Sequence, residues 1–361
     1  MIRVAIAAHA TPRASAGMRA YTTALLERIE RVAPDVHVVD VGAPVALQPV
    51  ALRLAHAELT HIPYLEAAPL PPRPYVAMLH DCIQLRFPAL FSRTTAAYWR
   101  FVAGPLYRNA ARVLVSDARV AADGAELLGI RAERFRIVPL GYGDAILDAQ
   151  PWVAERPYAF YAGNHRPHKD LATLYAAWAA LPEELALDLV LTGPDDPSVR
   201  ARYVRANGTI AFLGTIDDAT LAQRYRGAVA YVQPSLAEGF GLPALEAAVA
   251  GTPVLATTTS IAEIVAPYAP TPRCSPPPQP ARRRCASALP RALRTCGRIR
   301  GIGSPRRRRT FIARCYVPDP LRLGCDRDAA RMRVFLMPRR RRCARTRENR
   351  RCARTRDLDR R

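Results

Sequence analysis

The stretch PSLAEGFGLPALEAAVAGTPVLAT, residues 234–257, sets Glu238 and Glu246 eight positions apart around a loop that holds Gly239 and Gly241. VAYVQPS (229–235) reads as a strand and LAEGFG as the loop at its carboxyl end. Pro243 fits the first helical position, 244–250 the helix, and Gly251 the residue just past its end, before Pro253. Glycines let backbone N–H groups approach a bound group, and a helix N-terminus adds free N–H groups and partial positive charge. Such a loop suits a phosphate or a cluster of sugar hydroxyls. With Glu238 on the loop and Glu246 about one turn into the helix, both carboxylates can face one pocket and accept hydrogen bonds from hydroxyls.

Two further stretches carry chemistry. In YAGNHRPHKDLATLYAAW, Arg166 and Lys169 flank Pro167 at the end of a strand, with Lys169 opening a helix. The pair can reach one anion at the strand mouth, or it can be two solvated charges in a turn. Lys169 is the only lysine in the chain. In HIPYLEAAPLPPRPYVAMLHDCIQLRFPALF, His80 stands at the carboxyl end of a strand, either as a structural histidine or facing a ligand.

Taken together these strings resemble the retaining, nucleotide-sugar-dependent glycosyltransferases of family 4. The 234–257 string is similar to that family's E-x7-E signature, the 161–178 string to its G-N-x-[RK]-P-x-K-N segment, and HDCIQLRFP to its acceptor-domain stretch. The resemblance implies that Glu246 holds the ribose of the nucleotide, while Glu238, Gly239, Phe240, Gly241 and Leu242 hold the transferred sugar and the diphosphate. It implies that Arg166 and Lys169 neutralise the leaving diphosphate and that His80 positions the sugar from across a cleft. Gly17, in Ala16-Gly17 where the family shows Gly-Gly, corresponds to a glycine near the phosphates. The implied reaction is front-side attack, the leaving phosphate accepting the acceptor's proton. The implied partners are a nucleoside diphosphate sugar and a saccharide or lipid-linked acceptor, with peripheral contact at the inner face of a membrane. The GNHRPHK form of the segment points to a mannosyl donor carrying guanine. The donor is a substrate, so no cofactor is expected, and no Asp or His cluster suggests a metal site.

Strand-length apolar runs alternate with helical periods as far as residue 265. VAIAA (4–8), VHVVDV (36–41), ELTHI (58–62), YVAML (75–79), RVLVS (112–116) and RIVPL (136–140) read as strands, with helices over 18–32 and 118–128. GYGDAILDAQPWVAERP (141–157) has linker character. The pattern restarts with YAFYAG (158–163), LDLVLTG (187–193), TIAFLG (209–214), VAYVQPS and PVLAT (253–257). Such alternation predicts an α/β protein of two Rossmann-like, doubly wound parallel-sheet domains, the second incomplete. The expected domains are an acceptor-side 1–140, the linker 141–157 and a donor-binding 158–266, with a ligand cleft at the strands' carboxyl ends. The family resemblance implies the same arrangement, the GT-B fold.

The net charge of +22 is unevenly placed: residues 1–267 carry 24 basic and 25 acidic residues, and 268–361 carry 29 arginines against 6 acids. Cys82 is the only one of eight cysteines before residue 268, which suits a reducing cytosol and gives no disulfide framework. The opening MIRVAIAAHATPR is too short for a signal peptide or a membrane span, so a cytoplasmic location is expected. In the tail, 267–361, both periodicities vanish among runs such as RRRR and a repeated CARTR. Two accounts stand: a genuine basic arm that binds nucleic acid or an anionic surface, or a slipped reading frame in a GC-rich gene that leaves an inactive product. A dinucleotide oxidoreductase is disfavoured, because no G-x-G-x-x-G follows the first strand.

Overall fold

The computed structural model describes residues 1–7, 14–65 and 69–256, and the backbone of 314–315. Residue 257, the end of the last expected strand, the segment 258–266 and all but two residues of the tail lie outside the described residues.

The short apolar runs form two sheets, as their alternation with helices predicts. In the first, β1 (Ile2–Ile6), β2 (Val36–Asp40), β3 (Leu59–Ile62), β4 (Tyr75–Leu79), β5 (Arg112–Val115) and β6 (Phe135–Ile137) pair in parallel in the order β2-β1-β3-β4-β5-β6. In the second, β7 (Tyr158–Tyr161), β8 (Asp188–Leu191), β9 (Ile210–Phe212), β10 (Ala230–Gln233) and β11 (Val254–Ala256) take the order β11-β10-β7-β8-β9, again parallel. The two-residue β12 (Arg314–Cys315) pairs antiparallel with β11. Strands covered on both faces can be apolar throughout. All four residues of β7 and of β10 are buried.

Boundaries moved where local chemistry outweighed pattern. The first strand starts at Ile2, two residues earlier than expected, because Ile2–Ile6 runs in register with Val36–Asp40. The sixth ends at Ile137, since only Phe135–Ile137 finds partners on β5. Helix Ala16–Val32 is capped by the Ser15 side chain, which accepts from the Met18 N–H. Helix Ala118–Leu128 begins at Asp117, whose carboxylate takes the N–H groups of Arg119 and Val120, and ends on Gly129 at φ 66°. The 141–157 segment contains the one-turn helix Ala145–Asp148.

Both sheets reverse direction of growth once. In the first, β2 lies to one side of β1 and β3 to the other. In the second, the chain builds outward from β7 to β9 and then returns to place β10 on β7's free edge. Connections leave a switch point on opposite faces, so a crevice opens at the carboxyl ends there. The crevice between β7 and β10 is where the 161–170 and 234–241 loops emerge. Both sheets lie within one compact unit, Met1–Pro320.

Candidate functional site

The loop after β10 reaches Gly241, which adopts φ 86° and serves as N-cap to helix Leu242–Val249. That left-handed conformation suits glycine, and the helix starts at Leu242, one residue before the Pro243 start that the sequence suggests. Pro243 is consequently the second helical residue and not the first, a position where its missing N–H is still among the unpaired first-turn groups. Glu246 falls one turn in, as expected, and Gly251 closes the helix at φ 83°.

After β7 the chain passes Gly163, Asn164 and His165 into a 3-10 turn, Pro167–Lys169. Lys169 therefore ends this turn and does not open a helix. Asp170 takes a left-handed conformation (φ 48°, ψ 44°), and helix Leu171–Ala179 begins after it. The Asp170 carboxylate accepts from the Thr173 hydroxyl at 2.7 Å, a local bond of the kind that lets Asp occupy such a position.

These two loops meet. Lys169 Nζ donates to both oxygens of Glu238, at 2.7 and 2.8 Å, with the side chains 13 % and 9 % exposed. A pair this withdrawn from water carries a large desolvation cost, which its close two-point geometry offsets. Arg166 does not join it: its side chain is exposed and its backbone N–H goes to Asn164 Oδ1 at 3.3 Å. The two basic residues thus occupy different places, one inside the crevice and one at its rim.

The first sheet supplies the opposite wall. His80 and Asp81 follow the carboxyl end of β4. Gly239 packs against them so closely that a Cβ there would lie 2.2 Å from the His80 carbonyl oxygen and 3.2 Å from Asp81 Cβ. Gly239 is thus required for close approach between the loop and the first sheet. The His80 ring is held by Nε2 on the Pro63 carbonyl at 2.8 Å and by an edge contact with Tyr21. Burial lowers its pKa, and the Asp81 charge partly offsets that. Burial likewise raises the pKa of Asp81, which accepts from the Ile83 N–H at 3.0 Å and feels the charges of both Glu238 and Lys169. Behind this wall lies a cavity of about 30 Å³ between Tyr64, His80, Gln84, Trp99 and Tyr107, with room for water and not for a sugar ring.

Glu246 sits deeper on the second sheet's side. Its Oε2 accepts from the Tyr225 hydroxyl at 3.0 Å. Burial pushes its pKa up to about 7, against the pull of that hydrogen bond. Burial raises the pKa of Tyr231 of β10, and the charges of both glutamates push it the same way. Phe240 and Leu242 are half-buried beside the loop, and Gly17 is exposed in the first turn of its helix with open space around its Cα. Lys169, Glu238, Gly239 and His80 are thus brought together, with Glu246 behind them on its own tyrosine. Nothing places Gly17 or Arg166 in that cluster.

Three residues of this region went unread in the sequence. Asp81 adjoins His80 in a motif already singled out, so its signal was present. His168 is buried with Nδ1 unpartnered, its ring stacked on Phe91 at 6.2 Å, and burial lowers its pKa to about 4. Tyr225 lies in an ordinary helix, Asp218–Gly227, and carried no signal at all. Among the described residues no group of three His, Cys, Asp or Glu side chains is arranged to hold a metal ion. No helix there is long and apolar enough to cross a membrane.

Two parallel Rossmann-like sheets facing each other across a crevice define the class: this is the GT-B architecture of glycosyltransferases. WaaG, a glycosyltransferase involved in lipopolysaccharide biosynthesis, superposes with a TM-score of 0.59 at 18% identity, covering 81% of this chain and 90% of that one. Sucrose-phosphate synthase from Thermosynechococcus elongatus gives 0.58 at 19% identity, covering 83% and 98%. HepE from Anabaena, in complex with UDP and glucose, gives 0.53 at 19% identity, covering 73% and 82%. At such identities the likeness establishes the fold. The family signal is local: residues 156–277 match the family described as Glycosyl transferases group 1. Over 122 residues the chain is 38% identical to O-antigen chain mannosyltransferase B of Escherichia coli, which is 31% of this chain and 32% of that protein. Over 123 residues it is 35% identical to phosphatidyl-myo-inositol mannosyltransferase of Mycolicibacterium smegmatis, covering 32% and 31%. The matches span about a third of the length of these relatives. The resemblance read from the motifs holds, and its centre is the second sheet with the Lys169 and Glu238 loops.

Proposed function

We propose that this chain is a retaining glycosyltransferase that moves a hexose from a nucleoside diphosphate sugar to a saccharide or lipid-linked acceptor. The observation that carries the reading is the buried Lys169–Glu238 pair at the β7/β10 switch point, facing His80 and Asp81. The two curated relatives are both mannosyltransferases, which favours mannose as the sugar. In this reading Glu246 accepts hydrogen bonds from the ribose hydroxyls. Glu238 and the N–H groups of Gly239, Phe240 and Gly241, with Leu242 at the helix start, hold sugar and diphosphate. Lys169 and, from the rim, Arg166 stabilise negative charge as the bond from the anomeric carbon to the diphosphate oxygen breaks. Gly17 leaves room for the phosphates beside the first helix.

The acceptor hydroxyl oxygen attacks the anomeric carbon on the face the diphosphate leaves, and its proton passes to the departing phosphate oxygen. His80, held neutral by burial, positions a sugar hydroxyl and does not supply charge. The near-absence of cysteine before residue 268 fits a reducing cytoplasm.

The test is turnover by the full chain with GDP-mannose and UDP-glucose, in the presence of oligosaccharide and polyprenyl-phosphate-linked acceptors. The expected result is release of nucleoside diphosphate that depends on acceptor, with the product's anomeric configuration by NMR matching the donor's. Inverted product would remove the retaining mechanism. Failure of both nucleotide sugars to bind, by calorimetry, would overturn the assignment of the crevice.

A further inference from the structure

Glu246 has a single partner among the described residues, and the way that partner is held is unusual for a surface-helix tyrosine. Tyr225 is fully buried. Its ring meets Phe160 at 5.4 Å (78°) and Tyr231 at 5.5 Å (66°), both edge-on, and its backbone carbonyl accepts from the Thr252 hydroxyl just beyond the Glu246 helix. Ring and backbone are therefore both locked, which aims the hydroxyl at Glu246 Oε2.

We propose that Tyr225 is the positioning residue for the nucleotide: its hydroxyl fixes the orientation of the Glu246 carboxylate and favours the charged, doubly accepting form that a ribose diol needs. This rests on the assignment of Glu246 to ribose. A carboxylate has acceptor capacity on both oxygens, so one bond to tyrosine leaves the other oxygen, and a second lone pair, for the diol. A protonated carboxyl turns one of those acceptors into a donor. Burial alone favours the neutral acid, and nearby Asp218, on the same helix as Tyr225, pushes the same way. Tyr231 of β10 also faces Glu246 and is itself neutral, its pKa raised well above the ordinary value by burial. The turn Ala145–Asp148 packs on the Glu246 helix as well and brings Asp148, while the adjoining Asp144 is paired with Arg28 at 2.9 Å. No cation bonds Glu246 among the described residues, so the tyrosine hydroxyl is the group that opposes these effects. Burial raises the Glu246 pKa to about 7 with this bond in place, so loss of the bond moves the titration further up.

The experiment uses full-length protein, with UDP and GDP as probes in calorimetry from pH 6 to 9. In parallel, Glu246 protonation in the ligand-free protein is read by carbon NMR of the glutamate side chains, assigned with Glu246→Gln. Tyr225→Phe keeps the ring and removes the hydroxyl. The Glu246 titration should move up by about one unit, and nucleotide affinity should fall about fivefold at pH 7 while recovering to within about twofold at pH 9. A merely structural role would lower affinity equally at every pH. Replacing Tyr225 by difluorotyrosine, a stronger donor of the same shape, should move the titration the other way and serves if the phenylalanine variant does not fold. An unmoved Glu246 titration in both variants overturns the proposal. A moved titration with unchanged nucleotide affinity upholds the positioning by Tyr225 and removes ribose as what Glu246 holds.

Discussion

At the scale of single residues, the Lys169–Glu238 pair is the feature with the largest stake. Both side chains are nearly withdrawn from water, so removing one leaves an uncompensated buried charge, which costs about 3–5 kcal/mol. Lys169→Met is therefore expected to lower the stability of the second sheet's domain by that amount in urea unfolding. Lys169→Met with Glu238→Gln should restore most of it, because no lone charge remains. Turnover behaves differently: it should stay roughly two to three orders of magnitude down in both variants, the scale of losing one preorganised charge-stabilising group. Recovery of turnover in the double variant would show that the leaving phosphate is stabilised elsewhere.

At the scale of elements, the two loops are only as well placed as the helices behind them. Helix Leu171–Ala179 follows the Lys169 turn, and its far end is tied down by Arg205, buried at 6 % exposure. The guanidinium donates to the carbonyls of Trp178, Leu181, Pro182 and Leu185 at 2.8–3.0 Å and lies over the Trp178 ring at 5.3 Å. Trp178 lies in the last turn and the other three carbonyls follow the helix, where intrahelical donors run out. Planar geometry lets one guanidinium serve four acceptors, which a lysine cannot do. Arg205→Lys should cost about 2–4 kcal/mol, the sum of a few charge-assisted bonds partly replaced, and thermal unfolding would measure it. A change under about 0.5 kcal/mol would mean that solvent reaches these carbonyls.

At the scale of the whole molecule, the crevice is set by how the loop after β10 seats on the end of β4. Gly239 is the contact, and its own backbone needs no left-handed conformation, so any cost of a side chain there is steric. Gly239→Ala would place a methyl 2.2 Å from the His80 carbonyl oxygen, so the loop must draw back. The unfolding midpoint should move little, because each sheet keeps its own core. Turnover should drop at least tenfold, since displacements of about an ångström are that costly to an aligned reaction. Equal losses in stability and turnover would instead mean that the contact holds the fold together and does not align a site.

The sequence determined the two parallel sheets, because short runs buried on both faces leave an apolar signature such as YAFY or VAYV, and the caps around them are written in local residue types. It also marked the candidate loops: glycines, carboxylates and cations cluster within strings of about twenty residues, and the family match over 156–277 includes two of the three strings. What it left open are relations between residues far apart in the chain. Lys169 and Glu238 are 69 positions apart, and only the return of β10 to the free edge of β7 turns two separate charges into one buried pair. The same return separates Lys169 from Arg166, which sequence spacing had joined. Gly239 reads as a phosphate-loop glycine, yet its space is taken by the His80 carbonyl, a constraint that exists only once both sheets are in place. Tyr225 had no signature because nothing in its helix marks it. Its role comes from packing, which fixes the ring among Phe160 and Tyr231 and so aims a hydroxyl at Glu246 from 21 residues away. Side-chain type and local period are properties of a string, whereas burial and partner choice are properties of the space into which distant strings fold.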